Sequence, residues 1–85
     1  MEDKDGNTQL HFAATNDKTV KRIKEFISEG LDINAQNKKG NTPLHIAYQN
    51  NASEVVAELL CAGANLSLRN LEGKAPSDLS NEPIK

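Results

Sequence analysis

The stretch Gly40-Asn41-Thr42-Pro43-Leu44-His45-Ile46-Ala47-Tyr48 recurs at a nearly fixed distance, and that recurrence constrains the chain more than any other feature. It occurs earlier as Gly6-Asn7-Thr8-Gln9-Leu10-His11-Phe12-Ala13-Ala14, and later, degraded, as Gly73-Lys74-Ala75-Pro76-Ser77-Asp78-Leu79-Ser80. Gly6 to Gly40 is 34 residues and Gly40 to Gly73 is 33. Each residue type in the motif suits one structural job. Glycine permits the positive φ of a tight turn. Threonine caps a helix through its hydroxyl, and Pro43 falls at the first helical position, where its missing N–H costs nothing. Leu44 and Ala47 are three apart and share one helix face. The motif therefore predicts a turn followed by a capped helix start.

Between the motifs the apolar spacing is helical. Val20, Ile23, Phe26 and Ile27 form one face of a second helix, with Lys21, Arg22, Lys24 and Glu25 on the other side. Val55, Val56, Leu59 and Leu60 do the same in the next unit, where Ser53 is the expected N-cap. Gly30 and Gly63 end these helices. Gly6 to Gly30 spans 24 residues but Gly40 to Gly63 spans 23, which places one extra residue in the turn between Ala14 and Val20.

A 33–34-residue period with a T-P-L-H-x-A core resembles the ankyrin repeat. The resemblance runs from about Asp5 to Ser80 and implies an all-α solenoid of stacked helix-turn-helix units with short β-hairpin fingers. One domain covers 1–85: repeat 1 at about 5–38, repeat 2 at about 39–71, a partial C-terminal repeat at about 72–80, and a tail at 81–85. Ala64–Leu71 repeats the finger pattern of Leu31–Gly40, with Leu66 and Leu68 in the places of Ile33 and Ala35. In the third unit Ala75 replaces the capping threonine, Ser77 the buried leucine and Asp78 the histidine. These changes fit a polar C-terminal cap, and equally a degenerate repeat at the edge of a longer protein. Two repeats and a remnant lie at or below the roughly three that such arrays need. We therefore expect a weakly stable monomer, or one stabilised by self-association or a partner, with a thermal midpoint no higher than about 65 °C.

Composition excludes several functions. A net charge of −2 with 26% charged residues gives no field for nucleic acid or a membrane surface. No apolar run approaches the roughly 20 residues of a membrane helix, and the N-terminus lacks a secretory pattern. The single cysteine, Cys61, cannot form an internal disulfide, which favours a reducing compartment, the cytoplasm. It stands near a helix C-terminus, where the dipole disfavours a thiolate. The basic cluster Lys18, Lys21, Arg22 and Lys24 is interrupted by Glu25 and has no aromatic residue for base stacking, so it reads as a solvated helix face. His11 and His45 are the only histidines. At a stacking distance of roughly 8–10 Å parallel side chains cannot share a zinc ion, whose nitrogen ligands lie at about 2.0–2.1 Å. The resemblance gives both a structural role, hydrogen bonding to neighbouring turns. No catalytic constellation, metal spacing or phosphate loop is present, so no enzyme activity and no cofactor are expected.

The surface remains. By the resemblance, such proteins bind protein partners through finger tips and the exposed face of their first helices, which line a concave groove. Carried over by position, the partner-binding residues are Lys38, Lys39, Asn41, Tyr48, Gln49 and Asn50 in the second repeat, and Leu71, Glu72 and Lys74 in the third. Asp5, Asn7, Thr15 and Asn16 are their counterparts in the first. Asn37 and Asn70 stand where the family usually has aspartate and can still support the turn. Asn34 is expected to bridge successive fingers. The function implied is a non-catalytic protein–protein interaction module. The alternatives are a targeting or regulatory fragment of a larger enzyme or secreted effector, and a self-associating structural unit.

Overall fold

The computed structural model describes residues 4–79. Ser80 and the tail 81–85 lie outside the described residues. Among the described residues four α-helices follow in order: α1 Gln9–Ala13, α2 Val20–Ser28, α3 Pro43–Gln49 and α4 Ser53–Cys61. A 3-10 turn, Asp17–Thr19, leads into α2, and a 3-10 helix, Pro76–Leu79, packs on α3. Each odd helix pairs with the even helix after it, and the two hairpins stack α1 on α3 and α2 on α4.

The core is the seam between those hairpins. Leu10, Ile23, Leu44, Val55 and Leu59 are fully buried, with Ala13, Ala14, Ala47 and Ala52 between them. Leu44 and Ala47 face this seam together, as their spacing requires. The alanines allow close helix approach, while Val20, Phe26, Ile27, Val56 and Leu60 pack around the rim. The helix ends follow the glycines: Gly30 N donates to Ile27 O and Leu31 N to Phe26 O, while Gly63 N donates to Leu60 O and Ala64 N to Leu59 O. The two inter-helix connections differ where the extra residue was expected. After α1 the chain makes the 3-10 turn, capped by Asn16 Oδ1 accepting from Lys18 N, whereas after α3 it turns through Asn51 at φ 55.

Two expectations are corrected. Ser53 is not the cap of α4: it is the first helical residue, Ala52 holds the cap position, and no side chain there makes a capping bond. The cap comes from the preceding repeat instead. Asp17 Oδ1 accepts from Glu54 N at 3.0 Å and Val55 N at 3.2 Å, so a carboxylate on one hairpin satisfies the positive helix end of the next. Asp17→Ala is therefore expected to cost about 1–2 kcal/mol and Ser53→Ala less than about 0.5 kcal/mol, measured by urea unfolding. Equal costs would remove the inter-repeat cap.

The second correction concerns the fingers, which contain no β-strand among the described residues. Each is a tight turn. In the second finger Asn37 N donates to Asn41 O and Gly40 N to Asn37 O, both at 2.9 Å; in the third Asn70 N donates to Lys74 O and Gly73 N to Asn70 O. A ladder does not form because the asparagine side chains occupy its donors. Asn37 Oδ1 accepts from Lys39 N and Asn41 N, and Asn70 Oδ1 accepts from Glu72 N and Lys74 N. Among the described residues a backbone bond ties each finger tip to the next: Lys38 N to Asp5 O, and Leu71 N to Lys39 O.

Candidate functional site

The two histidines hold the stack in register. Thr8 and Thr42 cap α1 and α3, each accepting from the backbone N–H of the histidine three residues on. The ring reciprocates: His11 Nδ1 accepts from Thr8 N at 3.0 Å, and His45 Nδ1 from Thr42 N at 3.1 Å. With Nδ1 an acceptor, the proton sits on Nε2. Nε2 then donates across to the next finger, from His11 to Asn41 O at 2.7 Å and from His45 to Lys74 O at 2.9 Å. Both ring nitrogens are thus occupied by the chain itself. Asp78, in the third unit, keeps only the local half of this device. Its Oδ2 accepts from Ala75 N at 3.0 Å, but a carboxylate has no donor to pass onward.

Burial pushes the His45 pKa below its ordinary 6.5, against the opposing pull of the Lys74 carbonyl and the Asp78 carboxylate. The unfolded chain takes up the His45 proton at about 6.5, whereas the folded chain resists it to lower pH. Stability from this site is therefore complete above about pH 6.5 and declines as pH falls below it. The urea midpoint is expected to be lower at pH 5.5 than at pH 7.5. A flat profile over that interval would contradict it.

A second ladder, of carboxamides, runs beside the histidines. Asn37 Nδ2 donates to Asn7 Oδ1 at 2.7 Å, and Asn70 Nδ2 to Asn41 Oδ1 at 2.9 Å. Behind it Asn34 Oδ1 accepts from Asn65 N at 2.9 Å, so Asn34 bridges successive fingers as expected. These bonds fix the spacing of the finger tips, and the tips wall a concavity.

That concavity has a volume of about 530 Å³. Asp5, Asn7, Asn37, Lys39, Asn41, Asn70, Leu71 and Glu72 line it from the fingers, and Ile46, Gln49 and Leu79 from the helical side. It brings together Lys39, Asn41, Gln49, Leu71 and Glu72 of the residues picked from sequence, with Asp5 and Asn7 from the first finger. Lys39, Gln49, Leu71 and Glu72 are exposed, and Leu71 is 79% so. Asn41 is buried to 9% exposure, its oxygen taken by Asn70, so what it offers the concavity is its amide N–H.

The remaining candidates stand elsewhere. Lys38 and Lys74 are exposed but outside the concavity, and the Lys74 carbonyl is the acceptor for His45. Tyr48 is half-buried and packs against the core. Asn50 turns its amide back onto Ile46 O at the end of α3. Thr15 does likewise at the end of α1, its hydroxyl donating to Phe12 O, beside the capping Asn16.

Two apolar members of the floor, Ile46 and Leu79, were missed. Ile46 was findable: Leu44 and Ala47 commit one face of α3 to the core, so an isoleucine off that face points toward the fingers. Leu79 follows from no local pattern, because its place depends on Pro76–Leu79 docking against α3. Two exposed basic residues of α2 form ion pairs: Arg22 with Glu25 at 3.7 Å and Lys24 with Glu58 of α4 at 3.8 Å. Cys61 is exposed at the end of α4. Among the described residues no helix is long and apolar enough to cross a membrane.

The comparisons with known proteins agree with this architecture. The family described as "Ankyrin repeats (3 copies)" matches residues 1–70. The chain is similar to Rabankyrin-5 of Mus musculus, 40% identical over 79 residues, covering 88% of this chain and 6% of that protein. It is also similar to NF-kappa-B inhibitor alpha of Gallus gallus, 32% identical over 75 residues, covering 85% of this chain and 24% of that protein. A third relative is I-Kappa-B like protein G2 of Microplitis demolitor bracovirus, 36% identical over 81 residues, covering 89% of this chain and 48% of that protein. The chain thus spans less than half the length of each.

Proposed function

From the premise that the chain belongs to the ankyrin-repeat family, we propose that it binds a protein partner through its concave surface and finger tips, without catalysis. The observation that carries this reading is the concavity, where exposed side chains from three fingers meet an apolar floor of Ile46 and Leu79. The fingers are held by the histidine and carboxamide ladders, so little ordering cost falls on binding. Leu71, exposed and at the edge of the floor, is the natural apolar anchor. The reducing compartment favoured by the single cysteine makes the cytoplasm the setting we infer.

Capture from a lysate of the source organism tests this, followed by identification of the retained protein. The groove variant Lys39→Ala/Leu71→Ala/Glu72→Ala is expected to lose the partner, while Lys21→Ala/Lys24→Ala retains it, both folded by circular dichroism. Retention by both variants would move the interface off the concave face.

A second reading, self-association, is favoured by Phe12. It is 51% exposed and lines, with Phe26, a shallow apolar depression formed by α1, α2 and the turn between them. Light scattering across a concentration series separates the two readings: a dimer abolished by Phe12→Ser supports self-association, and a monomer throughout excludes it.

A further inference from the structure

One charged residue stands immediately before each finger glycine: Asp5 before Gly6, Lys39 before Gly40 and Glu72 before Gly73. All three are exposed and all three line the same concavity. Along the stack their signs run negative, positive, negative. We propose that this row reads the charge order of an extended peptide segment, selecting basic, acidic, basic around one apolar side chain. The proposal rests on the concave-surface reading and adds to it the chemistry of the partner.

The spacing supports an extended ligand. Successive finger tips are joined by the bonds from Lys38 N to Asp5 O and from Leu71 N to Lys39 O, both 2.9 Å. Backbones so joined lie about 4.8 Å apart, and one further residue adds about 3.8 Å. The backbone step from one charged position to the next is therefore about 9 Å. An extended chain advances about 3.3 Å per residue, so matching charges fall at intervals of two or three residues. A helix rises about 1.5 Å per residue, so a step of about 9 Å spans about six residues, or about 1.7 turns, and successive charges would fall on different faces of the helix. Between the charges, Leu71 and Ile46 offer the apolar contact, and the Asn41 amide offers a donor to a backbone carbonyl. Like charges set opposite each other are what exclude the sign-inverted sequence, acidic, basic, acidic.

The test is a chemical-shift titration of the full chain with short synthetic peptides, blocked at both ends. One set carries Lys, Asp, Lys at two- or three-residue intervals with a central leucine. The charge-inverted set carries Asp, Lys, Asp on the same spacers. At low salt the first set is expected to bind about tenfold tighter than the second, since three exposed pairs of modest strength act together, and the gap closes at high salt. The variant Asp5→Lys/Lys39→Glu/Glu72→Lys inverts the preference; these side chains are exposed, so its circular dichroism should match the parent's.

If both sets bind alike and Leu71→Ala weakens both, charge order is not read, while the concave surface remains the site. If neither set binds, the charge-order proposal is overturned, and the concave-surface reading is decided by the capture experiment alone.

Discussion

Gly40→Ala is expected to destabilise the chain by about 3 kcal/mol, the largest effect of any single methyl group added to a finger. Two costs combine. Gly40 has φ +80, where a Cβ costs roughly 1–2 kcal/mol in any protein. The added Cβ would also lie 2.8 Å from Leu71 N and 2.9 Å from Asn70 Cα, both backbone atoms of the third finger. Backbone cannot rotate away as a side chain can. Relief requires the third finger to retreat, which breaks the Leu71 N to Lys39 O bond and stretches the Asn70–Asn41 carboxamide pair, at about 1 kcal/mol each. Gly30→Ala is the control, because Gly30 has φ +88 but nothing within 4 Å of the new Cβ. It keeps the conformational cost and drops the collision. A domain of this size holds roughly 5–10 kcal/mol in all, and 1 kcal/mol moves the midpoint of such a chain by about 4–8 °C. Gly40→Ala should therefore melt at least about 10 °C below wild type and clearly below Gly30→Ala. Coincident melting of the two variants would show that the third finger does not press on Gly40.

The same residues explain which parts of the fold were legible beforehand. Thr42 and His45 are three apart, so their capping box is local chemistry that a sequence displays directly. The Leu44/Ala47 face and the alternating faces of α2 and α4 are local too, and all were readable. Asp17 capping Glu54 N and Val55 N was not, because the two partners lie 37 and 38 residues apart and Ser53 offered a nearer candidate. The fingers were read as hairpin strands from resemblance, yet asparagine side chains took the N–H groups that a ladder would have used. Asn41 illustrates the limit on the site. Its position beside the turn suggested an exposed contact, but the depth to which it sinks is set by Asn70, 29 residues on. Asp17, Asn41 and Leu79 take their places from a neighbouring repeat, which no local pattern displays.

His45→Ala is the second substitution with a large expected effect, and a series at this position divides the local cap from the link between repeats. The ring is fully buried and bonds in two directions, to Thr42 within α3 and to the Lys74 carbonyl in the third finger. Alanine removes both and leaves Thr42 N without an acceptor inside the protein, for a cost of about 3 kcal/mol. Glutamate at position 45 keeps the acceptor for Thr42 N, as Asp78 does for Ala75 N, but has no donor for Lys74 and sets a carboxylate against its carbonyl. Glutamine keeps an acceptor and supplies a donor. The expected order of stability by urea unfolding is wild type, His45→Gln, His45→Glu, His45→Ala. Hydrogen exchange localises the difference. His45→Glu should expose the amides of Asn70, Gly73 and Lys74 while leaving those of α1 and α2 protected, because only the link to the third finger is cut. Uniform loss of protection across all four helices would mean that His45 acts through α3 alone. Selective loss in the third finger would assign its Nε2 donor the task of holding the last unit on the stack, and with it Leu71, Glu72 and Leu79 at the edge of the concavity.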